Sequence, residues 1–171
     1  MAGIKALRKL QFGRETTAGL ISSPGTVWRG MGTIEDAREM KFSAEDIRYP
    51  SGTDRSYVPK LAGTLLVESV PATFEQFPHL LEMSIKTATG TIDGATGSGY
   101  IYAYTLPTTA PNTIKTYTVE GGDNQEAEVM EYCFVTDFTL TGDEGQAWMM
   151  GATITGRQVA LQAFSAGVSV P

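Results

Sequence analysis

Apolar and polar residues alternate most regularly in the C-terminal half of the chain. Met130, Tyr132, Phe134, Phe138 and Leu140 alternate there with Glu131, Cys133, Val135, Asp137 and Thr139. A period of two places each set on one face of a sheet. After Thr141-Gly142-Asp143-Glu144-Gly145 the pattern resumes, with Trp148, Met150, Ala152 and Ile154 set against Met149, Gly151, Thr153 and Thr155. Glycines around an acidic pair supply the backbone freedom of a turn, so residues 126–159 predict a long hairpin.

Weaker alternation predicts shorter strands near 26–31, 60–70, 100–106 and 115–120. One helix is expected over about 73–86. Phe74, Phe77, Leu81 and Ile85 fall on one face, with Glu75, His79, Glu82 and Lys86 opposite. Thr73 and Gln76 stand in capping-box positions, and Glu82 with Lys86 makes an i,i+4 pair. Pro78 moves the start toward Gln76 or bends the first turn. These elements predict a mainly β (α+β) fold: a β-sandwich or rolled antiparallel sheet flanked by one amphipathic helix.

Two segments fit neither pattern. Residues 1–14 carry Lys5, Arg8, Lys9 and Arg14 without an acid, interleaved with Leu7, Leu10 and Phe12. They read equally as a frayed terminus or as a basic arm that docks on an acidic neighbour; in the second case, deleting them should weaken assembly and leave the fold intact. Residues 35–60 are densely charged. Ile47, Arg48 and Tyr49 lead into a Pro-Ser-Gly turn, and Tyr57 follows it. A connection of this length in a compact domain predicts an extended, partly β loop over 42–59 that reaches a partner.

Composition narrows the function classes. A formal charge of −6 argues against a nucleic-acid-binding surface, which is ordinarily basic. One cysteine, Cys133, forbids an intramolecular disulfide and reads as a small core residue. No apolar run is long enough to cross a bilayer as a helix, so no membrane partner is expected. His79 is the sole histidine, on the polar face of the expected helix, which leaves no second ligand for a zinc site and reads as a surface residue. There is no Gly-x-Ser-x-Gly elbow. Gly94–Gly99 (GATGSG) lacks the Lys-Ser/Thr ending of a phosphate loop and precedes a strand. Asp123, Asn124, Glu126 and Glu128 lack EF-hand spacing. The tyrosines at 100, 102 and 104 form a ladder without basic neighbours, which reads as a half-buried or interface face. No catalytic residue, cofactor or metal is expected, and the chain does not read as an enzyme.

Several stretches together resemble a tail tube (major tail) protein of long-tailed siphophages, in the superfamily of phage and type VI secretion tubes. They are GIKALRKLQFGRE from Gly3 to Glu15, Trp28-Arg29-Gly30, and ATFEQFPHLLE from Ala72 to Glu82. Glu131-Tyr132-Cys133-Phe134-Val135, Phe138-Thr139-Leu140-Thr141-Gly142 and Gly156-Arg157-Gln158-Val159 continue the likeness. The resemblance covers most of the chain and implies one tail-tube domain over 1–171. Six copies would close a ring, and stacked rings would form a tube that conducts double-stranded DNA passively during ejection. Relatives of this kind often run on into a second domain; a missing C-terminal domain would change the ring to a trimer of tandem domains.

The resemblance assigns the inter-subunit arm to Lys5, Leu7, Arg8, Lys9, Leu10, Phe12 and Arg14. It assigns the inter-subunit loop to Ile47, Arg48, Tyr49 and Tyr57. The polar side of the long hairpin (Glu131, Asp137, Thr139, Thr141) supplies the lumen candidates. Six copies at −6 each carry about −36, which would keep phosphates off the wall. Implied partners are other copies of the chain, tape-measure, tail-terminator and distal tail proteins, and passing DNA held without specific contacts. The implied location is the virion, after synthesis in the host cytoplasm. The alternatives are a ring-forming tail terminator or secretion-tube relative that does not polymerise in the same way, and a carbohydrate-binding module built on the tyrosine face.

Overall fold

The computed structural model describes residues 8–44, 53–94, 97, 99–105 and 107–170. In chain order its elements are β1 (Lys9–Arg14), β2 (Thr26–Trp28), β3 (Gly32–Asp36), β4 (Glu39–Ala44), β5 (Thr53–Lys60) and β6 (Gly63–Pro71). Then come α1 (Phe77–Ser84), β7 (Thr91–Ile92), β8 (Tyr100–Ile101), β9 (Tyr117–Gly122), β10 (Ala127–Thr141), β11 (Met149–Gly156) and β12 (Gln158–Leu161). The fold is mainly β with one helix, and every strand pairing is antiparallel.

The main sheet runs β2-β1-β9-β10-β11-β6-β3, with β12 on β10. Strand β10 organises it by serving two halves. Ala127–Cys133 pairs with β9, and Glu128–Glu131 also pairs with β12. From Phe134 onward the partner is β11. The register shifts between Met130 and Cys133, and again between Val135 and Asp137. Each inserted residue reverses which parity faces the core. Met130, Cys133 and Val135 are therefore buried, and Phe138 packs against the same core, while Tyr132 and Leu140 are exposed. The strict alternation expected for this strand is corrected accordingly. In β11 three of the four residues expected on one face, Met150, Ala152 and Ile154, are buried, whereas Trp148 precedes the strand and is 57% exposed.

The second half of the basic N-terminal segment is not an arm. Lys9–Arg14 is an interior strand hydrogen-bonded on one side to β2 and on the other to β9. Leu10 and Phe12 lie in the core, where Phe12 meets Trp28 edge-to-face with centroids 5.1 Å apart. Burying side chains of this size is worth about 1.5–3 kcal/mol each, more than a solvated arm offers. Deleting 1–14 would thus remove a central strand, contrary to the expectation of an intact fold. Lys5 and Leu7 lie outside the described residues.

The helix is shorter than expected, because Gln76 is its N-cap and Pro78 sits in its first turn. It buries Leu80, Leu81 and Met83 and packs on β10 through Phe77 and Phe138, 6.4 Å apart. Phe74 precedes it and is 95% exposed, so it is not part of the inward face. Thr73 makes no cap, its hydroxyl being buried without a partner. The strand expected over 100–106 shortens to Tyr100–Ile101, because its partner β7 is two residues long. The segment after β12 runs back over the sheet. There the Ser165 amide and hydroxyl bond Glu120, and the Ser169 carbonyl accepts the Val27 amide at the β2 edge.

Candidate assembly surfaces

Strands β3, β6, β11 and the second half of β10 build one open sheet face. Cross-strand register aligns Asp137, Thr153, Leu66 and Thr33 in one row, and Phe134, Thr155, Thr64 and Glu35 in the next. Leu65, Val67, Ala152 and Ile154 point the other way, into the core. Asp137, Thr139 and Thr141 are exposed on this face, together with Thr33, Glu35 and Glu68. No lysine or arginine occurs in residues 32–36, 63–71, 134–141 or 149–156. The face is thus rich in threonine and acidic, with no cation from its own strands. The contributions from β3 and β6 were missed in the sequence, although β6 lies within the cation-free run 61–85 and β3 between Arg29 and Arg38.

Glu131 is not on that surface. It is 6% exposed, is ion-paired to Arg157, and accepts from Arg157 Nε at 3.0 Å and Gln158 Nε2 at 2.7 Å. The bulge beside it turns it into the seam between β10 and β12.

The expected loop is a β-hairpin. Strands β4 and β5 form their own two-stranded sheet outside the main one. Lys41 pairs with Tyr57, Phe42 with Ser56 and Ser43 with Arg55. Opposed residues share a face, so Phe42 and Ser56 stand on one side and Lys41, Ser43, Arg55 and Tyr57 on the other, with the register shifting between Glu39 and Lys41. Met40, Phe42, Tyr57 and Val58 are all exposed, Phe42 by 64%. At the base, Arg38 pairs with Asp36, and that hydrogen bonding holds the Asp36 carboxyl below the usual carboxylate range. Ile47, Arg48 and Tyr49 lie outside the described residues.

A groove of about 630 Å³ opens beside α1, lined by Phe74, Glu75, Phe77, Pro78, Leu81 and the tyrosines at 100, 102 and 104. Tyr100 and Tyr102 are exposed. The tyrosine ladder is therefore half of an aromatic channel whose other wall is the helix.

Behind α1 the polar side chains are tied together. Tyr117 OH donates to Glu82 Oε2 at 2.6 Å, and His79 Nδ1 lies 3.0 Å from the same phenol oxygen. Because the phenol proton goes to Glu82, the His79 ring serves as donor through Nδ1. Arg14 is ion-paired to Glu82, and Thr87 donates to Glu82 Oε1 at 2.6 Å. Lys86 instead bonds the Thr105 carbonyl, so the Glu82–Lys86 pair is not formed. Burial, then the bond to Glu82, pushes the Tyr117 phenol far above its ordinary value; burial lowers the His79 imidazole below its own. A phenol held protonated in this way pins α1 to β9. His79 is a half-buried structural partner rather than the surface residue expected. The remaining arm residues are similarly engaged: Lys9 lies 4.2 Å over the Phe164 ring, while Arg8 is exposed near Asp123.

Among the described residues, no group of three or more His, Cys, Asp and Glu is arranged to hold a metal ion, and no helix is long and apolar enough to cross a membrane. No protein-family model and no curated protein matches the chain. Among solved structures, it is similar to the sheath/tube terminator of an extracellular contractile injection system, PVC, in the extended state. That match has 8% identity and a TM-score of 0.47, and covers 95% of this chain and 98% of the other.

Proposed function

We propose that this chain is a structural protomer of a tail tube, acting by assembly rather than catalysis. The observation that carries the reading is the threonine-rich, acidic sheet face without a lysine or arginine in its strands. Turned toward a lumen, Asp137, Glu35 and Glu68 repel phosphates at contact. Two unit charges 4 Å apart in water interact by about 1 kcal/mol, and salt screens the effect beyond about 8 Å. Such a wall prevents adhesion without opposing passage, the reverse of a basic binding groove.

The other surfaces support polymerisation. Strand β3 ends the main sheet with no further strand beyond it among the described residues, and an open edge is completed by a neighbour's strand. The β4–β5 hairpin projects from the sheet with both faces uncovered. A lone two-stranded hairpin is marginal in water and gains stability against another surface. Heterologous contacts between identical copies give closed rings or open polymers, and a tube uses both.

Negative-stain electron microscopy of the purified chain tests the reading. Stacked rings or hollow tubes are expected at high concentration. A persistent monomer would sink it, and single rings that never stack would replace it with a terminator role.

A further inference from the structure

We infer that residues 162–170 form a releasable strap that caps the β2 end of the main sheet. After β12 this segment passes over β10, β9 and β1 to reach β2, on the side away from the core. The Gln162 amide donates to the Ala127 carbonyl at 3.0 Å, and Lys9 Nζ stands 4.2 Å over the Phe164 ring. The Ser165 amide and hydroxyl donate to the Glu120 carboxylate at 2.8 and 2.7 Å. At the far end the Ser169 carbonyl accepts the Val27 amide at 3.0 Å. Val27 is the middle residue of β2 and turns this amide away from β1, so Ser169 takes the place of a further strand. Gln162, Ala163, Ala166, Gly167, Ser169 and Val170 are exposed, so little apolar burial reinforces these bonds.

The sheet beneath the strap is polar and incompletely satisfied. Gln11 and Glu120 oppose each other across β1 and β9, on the face opposite Leu10 and Phe12. They are 0% and 1% exposed, and both polar side-chain atoms of Gln11 are buried without a partner. A buried carboxamide left unpaired is unfavourable, and water satisfies it once the cover lifts. Closing the strap therefore carries a penalty that opening relieves, which marks this segment to open before the sheet does. The consequence for assembly rests on the tube reading. The main sheet ends at β2 and β3. Head-to-tail pairing of copies through their edges needs two different free ends, and a closed strap leaves one. The strap thus restrains polymerisation until it is displaced.

Two variants should move the strap in opposite directions. Ser165→Ala removes the hydroxyl bond to Glu120, whereas Gln11→Met removes the unpaired carboxamide at nearly constant volume. Hydrogen exchange of the Val27 and Gln162 amides, read by mass spectrometry on dilute protein, reports opening. Exchange should be about tenfold faster in Ser165→Ala, the worth of one hydrogen bond, and slower than wild type in Gln11→Met. The amides of β6 and β11 should not change. In sedimentation velocity, association should rank Ser165→Ala above wild type and wild type above Gln11→Met. Val27 exchange that neither variant moves, or that moves only together with β6 and β11, overturns the strap. Exchange that shifts as expected while all three chains associate equally overturns the restraint on assembly. The same shifts in chains that never associate overturn the tube reading and leave the strap standing.

Discussion

The carboxylate of Glu15, 3% exposed, accepts from the Gly19 amide at 2.7 Å and the Tyr132 amide at 2.9 Å. It also accepts from the Thr116 and Thr118 hydroxyls at 2.6 and 3.1 Å. Tyr132 has φ of 56°, a left-handed conformation that costs a non-glycine residue roughly 1–2 kcal/mol. Glu15 anchors that strained residue at the first β10 bulge and ties it to the 15–19 turn. Glu15→Ala strands four donors, so urea unfolding should show a loss of at least about 3 kcal/mol, with Glu15→Gln in between. Nothing in the sequence marks this residue, since a glutamate after Arg14 resembles any solvated surface charge. Its partners, from Thr116 just before β9 to Tyr132 on β10, lie 101 to 117 positions away. Glu131, read as a lumen residue, became a seam residue for the same reason: Arg157 is 26 positions distant.

At the level of elements, local pattern succeeded where pairing was regular and failed where an inserted residue changed parity. β11 was legible because alternation survives along it, and the helix because Pro78 fixes its start. β10 was legible in length but not in facing, because a bulge leaves no mark in a hydrophobicity pattern. β1 was misjudged because its flanking cations masked Leu10 and Phe12 as core positions. The exposed polar face was half legible: Asp137, Thr139 and Thr141 were found from their own strand, whereas β3 and β6 joined them only through sheet register. The α1–β9 latch carries a pH dependence. His79 faces Tyr117, Glu82 and Arg14, and its burial outweighs the carboxylate's attraction, so its folded-state pKa is depressed. The unfolded chain then binds the proton more readily. The contribution is fully present above about pH 6.5, the ordinary imidazole value, and is lost as pH falls below it. Melting followed by circular dichroism between pH 7.5 and 5.5 should show a larger drop for wild type than for His79→Gln.

Across the whole molecule, the functions of surface and core are separated by strand. One face of the β3–β6–β11–β10 half is closed over a core of Leu65, Val67, Ala152 and Ile154, and the other carries acidic residues and threonines around the exposed Leu66. Exposed apolar side chains include Met40, Phe42 and Val58 on the hairpin and Phe74, Tyr100 and Tyr102 beside α1. The same separation decides where a protease acts. Of thirteen lysines and arginines, Arg38, Lys41, Arg48, Arg55 and Lys60 fall within residues 38–60, while none falls in 61–85 or 116–156. Trypsin should therefore nick the isolated chain first around the hairpin and spare most of the sheet. If the hairpin is buried between copies in an assembled tube, the same digestion should leave the full-length band. The rate of tryptic nicking then becomes a clock for polymer growth that needs no microscope. A hairpin cut equally fast before and after assembly would show that it stays in solvent.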